Sequence, residues 1–307
     1  MKTKKIAVTV GISVYNESKN IQHLLKSIPA QTAKSFRLEK IIVVCDGSTD
    51  GTDKLVSELA EKQKLIHLIN HWDREGKKKR LMEIYEQNKS DFLIILDGDI
   101  GLANPGVLGK LVEEYIKTKA AIVGGNPQPF KPVNFIQKLM NTWEDIWFKT
   151  KVNEYGRNNI HHISGCVMGL SGSFAKSIVL PTDMISEAQL IYCLAKEKGL
   201  SFVFTEEAVV YYRKPASIKD YFIQVNRYGA EKYKMAKRFG DQVNEEYAIP
   251  LKNKISAVLV NMLKDPIFTF LSLFLIFMLS HRKQKQDKGR SRNLWNIVPS
   301  TKEGINI

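Results

Sequence analysis

Apolar and polar positions alternate along this chain in blocks rather than singly. From residue 5, KIAVTVGISVYN is an apolar run that closes on polar residues. Between Asn16 and Ser27 the pattern changes to helical spacing, with Ile21, Leu24, Leu25 and Ile28 on one face and Ser18 as a cap. KIIVVCDGSTDGT repeats the plan: an apolar strand, a turn rich in Asp and Gly, then a helix from Asp53 to Lys62. LIHLIN predicts a third strand and GKKKRLMEIYEQN the helix after it. FLIILDGD, LGKLVEEYIKT and AAIVGG predict a fourth strand, another helix and a fifth strand. Strands that alternate with helices, and are apolar throughout, imply a mostly parallel α/β sheet covered on both faces. Ligands bind such sheets outside the carboxyl ends of the strands. YNE, DGSTDGT and DGD all fall at those ends, so the fold gathers them around one crevice.

The C-terminal third follows another pattern. Residues 255–280, ISAVLVNMLKDPIFTFLSLFLIFMLS, form the most apolar stretch, interrupted by Lys264, Asp265 and Pro266. The run after Pro266 is shorter than the roughly 20 residues of a spanning helix. HRKQKQDKGRSR follows, a basic collar of the kind found on the cytoplasmic side of membranes. The pattern suits interfacial helices, or a hairpin bent at Pro266, at a membrane surface.

Composition narrows the classes. The formal charge of +14 suits nucleic acid, an anionic membrane surface or an anionic substrate. Aromatics of the RNA-recognition type and zinc spacing are missing, which argues against nucleic acid. Cys45, Cys166 and Cys193 are widely spaced, without a CxxC pair, and read as reduced thiols. The N-terminus has a basic start but no long apolar region, and reads as a first strand rather than an export signal. Neither GxGxxG after strand one nor a Walker A sequence occurs, against a dinucleotide enzyme or P-loop ATPase.

The chemistry-bearing residues are then few. Asp97-Gly98-Asp99 ends the fourth strand with two acids that need a cation, a shared proton or water to sit together. A turn at Gly98 would aim both at one hard cation, Mg²⁺ or Mn²⁺; a solvated turn with an Asp cap is equally compatible with the tripeptide alone. Tyr15, Asn16 and Glu17 offer an aromatic platform and two polar groups for a flat heterocycle. DGSTDGT (46–52) is dense in hydrogen-bonding side chains. Arg74, Lys77, Lys78, Lys79 and Arg80 suit a diphosphate or a solvated helix face.

In that order YNE, DGSTDGT, REGK and DGD resemble the inverting family-2 glycosyltransferases of GT-A fold, over roughly residues 5–230. The resemblance implies a nucleoside-diphosphate sugar donor, UDP-linked, with Tyr15, Glu17 and Asp46 holding the nucleoside. Lys77 would approach the donor, Asp97 would lie by the ribose or sugar, and Asp99 would bind the metal bridging the diphosphate. In PTDMISEAQLIYCLAKEKGLSF it implies Glu187 as the base for the acceptor hydroxyl, although Ala188 stands where the motif often has Asp; Asp183 is the fallback. HHISGCVMGLSG resembles the acceptor-side strand, where Gly165 would leave room for a sugar. FIQVNRYG resembles the QxxRW signature of membrane-bound polysaccharide synthases: Gln224 and Arg227 toward the diphosphate, Tyr228, in place of Trp, toward the acceptor.

These readings divide the chain into a GT-A catalytic domain at 1–215 (donor half about 5–130, acceptor half about 131–215), a QxxRY helical region at 216–254, and membrane-associating helices with a basic tail at 255–307. The implied activity is sugar transfer to a lipid-linked or growing glycan acceptor at the cytoplasmic face of a membrane. A polyprenyl phosphate acceptor and a catalytically silent nucleotide-sugar-binding protein are the alternatives. A haloacid-dehalogenase-like phosphatase also places DxD after a strand, but Leu102 and the fourth-strand position argue against it.

Overall fold

A computed structural model describes residues 5–305 apart from 33, 153–155, 182–185, 229–230 and 281–297. Its first half runs β1 (Ile6–Val14), α1 (Ile21–Ser27), β2 (Phe36–Asp46), α2 (Thr52–Lys62), β3 (Ile66–His71), α3 (Lys77–Gln87) and β4 (Phe92–Asp97). The second half has β5 (Ile100–Leu102), α4 (Val107–Thr118), β6 (Ile122–Pro129), α5 (Phe135–Thr150), β7 (Val167–Ser171), α6 (Gly172–Ser177), α7 (Glu187–Glu197) and β8 (Phe202–Tyr212). Five helices follow: α8 (Ile218–Tyr228), α9 (Glu231–Phe239), α10 (Gln242–Glu246), α11 (Leu251–Lys264) and α12 (Pro266–Ser280).

The strands form one sheet in the order β3-β2-β1-β4-β7-β6-β8-β5. β1 pairs in parallel with both β2 and β4, and β3 continues on the far side of β2. Alternation explains the unbroken apolar runs. Ile41, Val43 and Cys45 of β2 enter one core layer, whereas Ile42 and Val44 enter the layer on the opposite face. Phe92, Ile94 and Leu96 of β4 divide from Leu93 and Ile95 in the same way. On β1 the second face is small: a Cβ on Gly11 would lie 2.4 Å from Ile84, so α3 packs directly on the strand backbone.

Two local expectations are corrected, and within the mostly parallel sheet two further features appear. The first helix begins at Ile21, not Asn16, because Asn16 takes φ 54° and the turn after it is tied to the next loop. The fifth predicted strand, AAIVGG, extends to Pro129 as β6. Beyond β4 the sheet is mixed, since β7 runs antiparallel to both β4 and β6. A short β5 after DGD also pairs antiparallel with β8. Five-residue β7 and three-residue β5 carry too little pattern to reveal their direction.

α11 and α12 pack against α5 and against each other. Ser272 Oγ lies 2.8 Å from the Leu139 carbonyl, and the Phe135 and Phe268 rings approach at 5.3 Å. Their outer faces are apolar: Leu251, Ile255, Leu259 and Leu263 recur every four residues on α11, and Ile267, Phe270, Phe274 and Phe277 follow on α12, all exposed. At about 1.5 Å per residue α12 is roughly 22 Å long, against an apolar bilayer core of about 30 Å. Among the described residues no helix is long and apolar enough to cross a membrane.

Candidate active site

The loops after β1 and β2 are laced together. Asn16 Oδ1 accepts from the Thr49 amide, the Glu17 amide donates to Thr52 Oγ1, and the Ser18 amide donates to Asp50. The left-handed turn at Asn16 makes this possible and presents Tyr15 to the cavity, with the Arg74 guanidinium 4.0 Å from its ring centre. Asp46, at the end of β2, is buried and occupied. Its Oδ1 accepts from the Glu75 amide and from Arg80 Nε, and its Oδ2 from the Gly76 amide. Asp46 therefore anchors the WDREG loop as well as lining the cavity.

The basic run around that loop separates into different roles. Arg80 is fully buried between Asp46 and Glu83, Lys78 Nζ donates to the Pro181 carbonyl, and Lys79 is exposed beside Glu75. Lys77 and Arg74 face the cavity.

Lys77 is the link between the two halves. Its Nζ is 2.6 Å from Asp97 Oδ1, at the end of β4, and 2.5 Å from Glu187 Oε1, at the first position of α7. Burial would lower the Lys77 pKa, but Asp97 and Glu187 together lift it well above the ordinary lysine value. Burial raises Asp97; Lys77 opposes that, while Asp99 and Glu187 add to it. Gly165 abuts this bridge. A Cβ there would lie 2.7 Å from Glu187 Oε1 and 3.1 Å from Lys77 Nζ. Gly98 serves space rather than a left-handed turn: its Cβ would stand 2.8 Å from Val14 and 3.0 Å from Glu17.

Asp99 lies on the other side of Gly98, near Glu17 and Lys302. Lys302 Nζ is 3.5 Å from Asp99 Oδ2 and contacts Glu17 Oε1. Burial and the charge of Asp99 push the Glu17 carboxyl up to about 8, with Lys302 opposing, and Glu17 Oε2 is buried without a hydrogen-bond partner. Among the described residues no three His, Cys, Asp or Glu side chains converge as a ready metal cage. A Mg²⁺ or Mn²⁺ held by one or two carboxylates and completed by phosphate oxygens needs no such cage. The seat of Lys302 shows that Asp99 and Glu17 accommodate a positive charge between them, so the donor set fits such an ion.

The cavity itself measures about 810 Å³ and reaches from Tyr15, Asp97 and Asp99 to an aromatic wall on the far side. That wall holds Trp143, Trp147 and Phe148 of α5, with Phe204 of β8. His161 and His162 lie in a turn before β7 rather than in a strand, and their rings pack on Trp147 and Phe148 respectively. Gln224 also lines the cavity. The side chains of Arg227 and Tyr228, and the whole of Asp183, lie outside the described residues.

Sequence reasoning missed Lys302 and the aromatic wall. Lys302 is 203 residues from Asp99 in the chain, and no local motif announces it. The WEDIWFK stretch of α5 carried a signal, in aromatic residues four and five apart on one helix.

The model of glycosyl transferase family 2 matches residues 9–178, more than half of the chain. The chain belongs to glycosyl transferase family 2. Among relatives of this family-2 chain, an uncharacterized protein of Methanocaldococcus jannaschii is 30% identical over 151 residues, 48% of this chain and 62% of that protein. Glycosyltransferase AglE of Haloferax volcanii is 30% identical over 119 residues, 39% of this chain and 38% of AglE. Poly-beta-1,6-N-acetyl-D-glucosamine synthase of Staphylococcus aureus is 25% identical over 189 residues, 59% of this chain and 43% of the synthase. The chain thus spans less than two thirds of the length of each of these relatives. Solved structures share the GT-A-like fold. The mannosyltransferase PcManGT of Pyrobaculum calidifontis, in complex with GDP-Man and Mn²⁺, superposes with TM-score 0.62 at 19% identity, covering 91% of this chain and 76% of that one. S. aureus TarS with UDP-GlcNAc gives 0.56 at 19% identity, covering 78% and 70%.

Proposed function

We propose that this family-2 chain is an inverting, metal-assisted glycosyltransferase, moving a sugar from a nucleoside-diphosphate donor, UDP-linked, to a lipid-linked or growing glycan acceptor at the cytoplasmic face of a membrane. The observation that carries the reading is the bridge Asp97–Lys77–Glu187 at the strand ends, with Asp99 beside it in the same cavity. Fold neighbours bound to GDP-Man with Mn²⁺ and to UDP-GlcNAc support a nucleotide-sugar donor.

In this reading Tyr15 and Arg74 stack the nucleobase and Glu17 meets the ribose, while Asp46 holds the adjoining loop and meets the base. Asp99, with diphosphate oxygens, would hold Mg²⁺ or Mn²⁺, which when bound offsets the negative charge that builds on the leaving diphosphate. Glu187 takes the proton of the acceptor hydroxyl as its oxygen attacks the anomeric carbon; the bond from that carbon to the phosphate oxygen breaks and the nucleoside diphosphate departs. Lys77 orients Glu187 through their 2.5 Å contact, and Asp97 holds Lys77 from the donor side. Gly165 leaves acceptor space beside the base, and Gln224, Arg227 and Tyr228 would close the diphosphate and acceptor ends.

Residues 1–215 would be the catalytic unit, 216–254 the QxxRY region and 255–307 the membrane-facing part. The exposed apolar stripes of α11 and α12, with the basic HRKQKQDKGRSR beyond them, suit insertion into the interface of an anionic bilayer.

The test is release of nucleoside diphosphate from a panel of UDP- and GDP-sugars with Mn²⁺ or Mg²⁺, with membranes as the acceptor source. Transfer from one donor, and loss of donor binding in Asp99→Ala, are expected. Binding without transfer would leave a silent nucleotide-sugar-binding protein, and failure of every nucleotide sugar to bind would reject the reading.

A further inference from the structure

The far arm of the cavity contains a cation that the reaction above does not use. Lys151 caps the C-terminal end of α5, lines the cavity and is 8% exposed. Among the described residues no carboxylate stands within ion-pair distance of its Nζ, and its ring contact is Phe148, 5.3 Å away. The surrounding charges are already matched. Glu144 is 2.7 Å from Lys214, and Arg157 is paired with Glu206. Those two pairs cancel, which leaves Lys151 as a surplus positive charge among the described residues. Burial and the nearby Lys214 and Arg157 lower its pKa, against the pull of Glu144, so the ammonium sits where it is costly.

Beside it His162 is 2% exposed and also lines the cavity. Its Nδ1 makes a long contact of 3.4 Å with Asn159 Oδ1, and its Nε2 is buried with no hydrogen-bond partner. Burial, then the charges of Lys151 and Arg157, push its pKa down to about 2. Among the described residues, a buried ammonium with no carboxylate partner next to a buried nitrogen with no hydrogen-bond partner is expensive to keep without a ligand. An anion at Lys151 would remove one of the causes that keep the imidazole neutral. Nε2 could then donate to it, or accept from a P–OH group in the neutral state.

This place is distinct from the diphosphate end. His162 and Lys151 pack around Phe148 and Phe204 of β8, and β8 is three strands from β4 in the sheet. At about 4.8 Å per strand that is roughly 14 Å from the strand carrying Asp97. The same cavity is also lined by apolar side chains, Trp143 and Trp147 of α5 and Ile276 and Leu279 of α12.

We propose that Lys151 and His162 form a second anion subsite, on the acceptor side, that takes a phosphate monoester. That this phosphate belongs to an acceptor rests on the glycosyl-transfer reading; that an anion binds there does not. The monoester could arrive on a lipid along the apolar wall or as a free phosphate group.

The experiment titrates the full chain with citronellyl phosphate, citronellol and inorganic phosphate, followed by tryptophan fluorescence, with Trp143 and Trp147 as local reporters. UDP or GDP binding with Mn²⁺ is measured in parallel. Citronellyl phosphate should bind, and Lys151→Gln should weaken it by about tenfold or more, the worth of one charged hydrogen bond. Lys151→Arg should restore most of that loss, and nucleotide affinity should be unchanged in both variants. Melting curves of both establish that they fold, and Lys151→Met replaces Lys151→Gln if it does not. Inorganic phosphate binding as tightly as citronellyl phosphate, and lost in Lys151→Gln, would support the subsite and assign it to a free phosphate. Equal binding of citronellol, or citronellyl phosphate binding unchanged in Lys151→Gln, would overturn the proposal. Phosphate binding lost in Lys151→Gln in a protein that binds no nucleotide would instead reject the transfer reading and leave the subsite standing.

Discussion

The ammonium of Lys302 stands 3.5 Å from Asp99 Oδ2. It occupies the neighbourhood in which a divalent cation would bind, and it is delivered by a segment fastened elsewhere: Ile305 donates its amide to Asn20, and Arg213 donates to the Gly304 carbonyl. Ammonium and metal should compete. Lys302→Gln is expected to lower the half-saturating Mn²⁺ concentration for donor binding by at least about threefold, since a charge at this range matters by kcal/mol even when partly screened. A Mn²⁺ titration of nucleotide binding measures this, and an unchanged or raised requirement would show that Lys302 assists the diphosphate instead.

Glu187 is expected to separate binding from turnover. Glu187→Gln keeps the shape of the Lys77 contact, so the fold and donor affinity should be near wild type while turnover falls about 10²- to 10⁴-fold. Steady-state rates with parallel nucleotide titrations decide it. If turnover survives, the base is another group.

Lys77→Met should do more damage to the fold. It leaves Asp97 and Glu187 in a largely buried site without the cation between them, and breaking a buried pair in this way costs about 3–5 kcal/mol. Denaturant unfolding should register the loss, and raising proton concentration should recover part of it, because protonated carboxyls no longer repel.

Gly165→Ala tests geometry with one methyl group. The new Cβ would fall 2.7 Å from Glu187 Oε1, an oxygen that Lys77 prevents from swinging freely. Turnover should drop at least about tenfold with little change in melting temperature or donor affinity, because the displaced group is a side-chain end rather than backbone. Equal turnover would mean that Glu187 can sit elsewhere while it works.

Asp46→Asn should be structural first. One oxygen that now accepts becomes a donor facing the Glu75 and Gly76 amides or buried Arg80. The cost should be about 2–4 kcal/mol in unfolding free energy, with nucleotide binding lost as the loop loosens. Full stability with lost binding would instead make Asp46 a pure ligand group.

His162 gives a pH signature. Its folded pKa lies near 2, below the 6.5 of an ordinary histidine. The unfolded chain accepts a proton that the folded one refuses, so this contribution to stability is whole above pH 6.5 and is lost as pH falls toward about 2. Melting temperature should fall between pH 7.5 and 5, and the fall should be shallower in His162→Phe.

The donor half was legible because its strands alternate strictly and their polar ends follow a general rule of α/β sheets. Tyr15, Asp46, Lys77 and Asp97 meet for that reason. What stayed hidden is long-range or non-periodic. The reversed direction of β7 leaves no trace in VMGLS. His161 and His162 looked like a strand because nothing local marks the turn that Asn159 caps for them. Gly98 does lie in a turn, as its position after β4 suggested, but the sequence did not show that its absent side chain also makes room for Val14 and Glu17. Asp46 looked like a ligand group alone because its three hydrogen-bond donors come from about 30 residues further along.

The bridge of Asp97, Lys77 and Glu187 has a consequence when counted as formal charge. Two carboxylates and one ammonium, of which only Glu187 is buried, add up to one formal negative charge before the reaction. In the proposed transfer the acceptor's proton arrives on Glu187 and brings that sum to zero. The event that makes the nucleophile therefore also removes a negative charge from the cavity at the moment when the leaving diphosphate gains one. Product release then returns the group to its starting charge only after the proton has been handed to solvent, so an enzyme of this design resets through a proton as well as through a nucleotide.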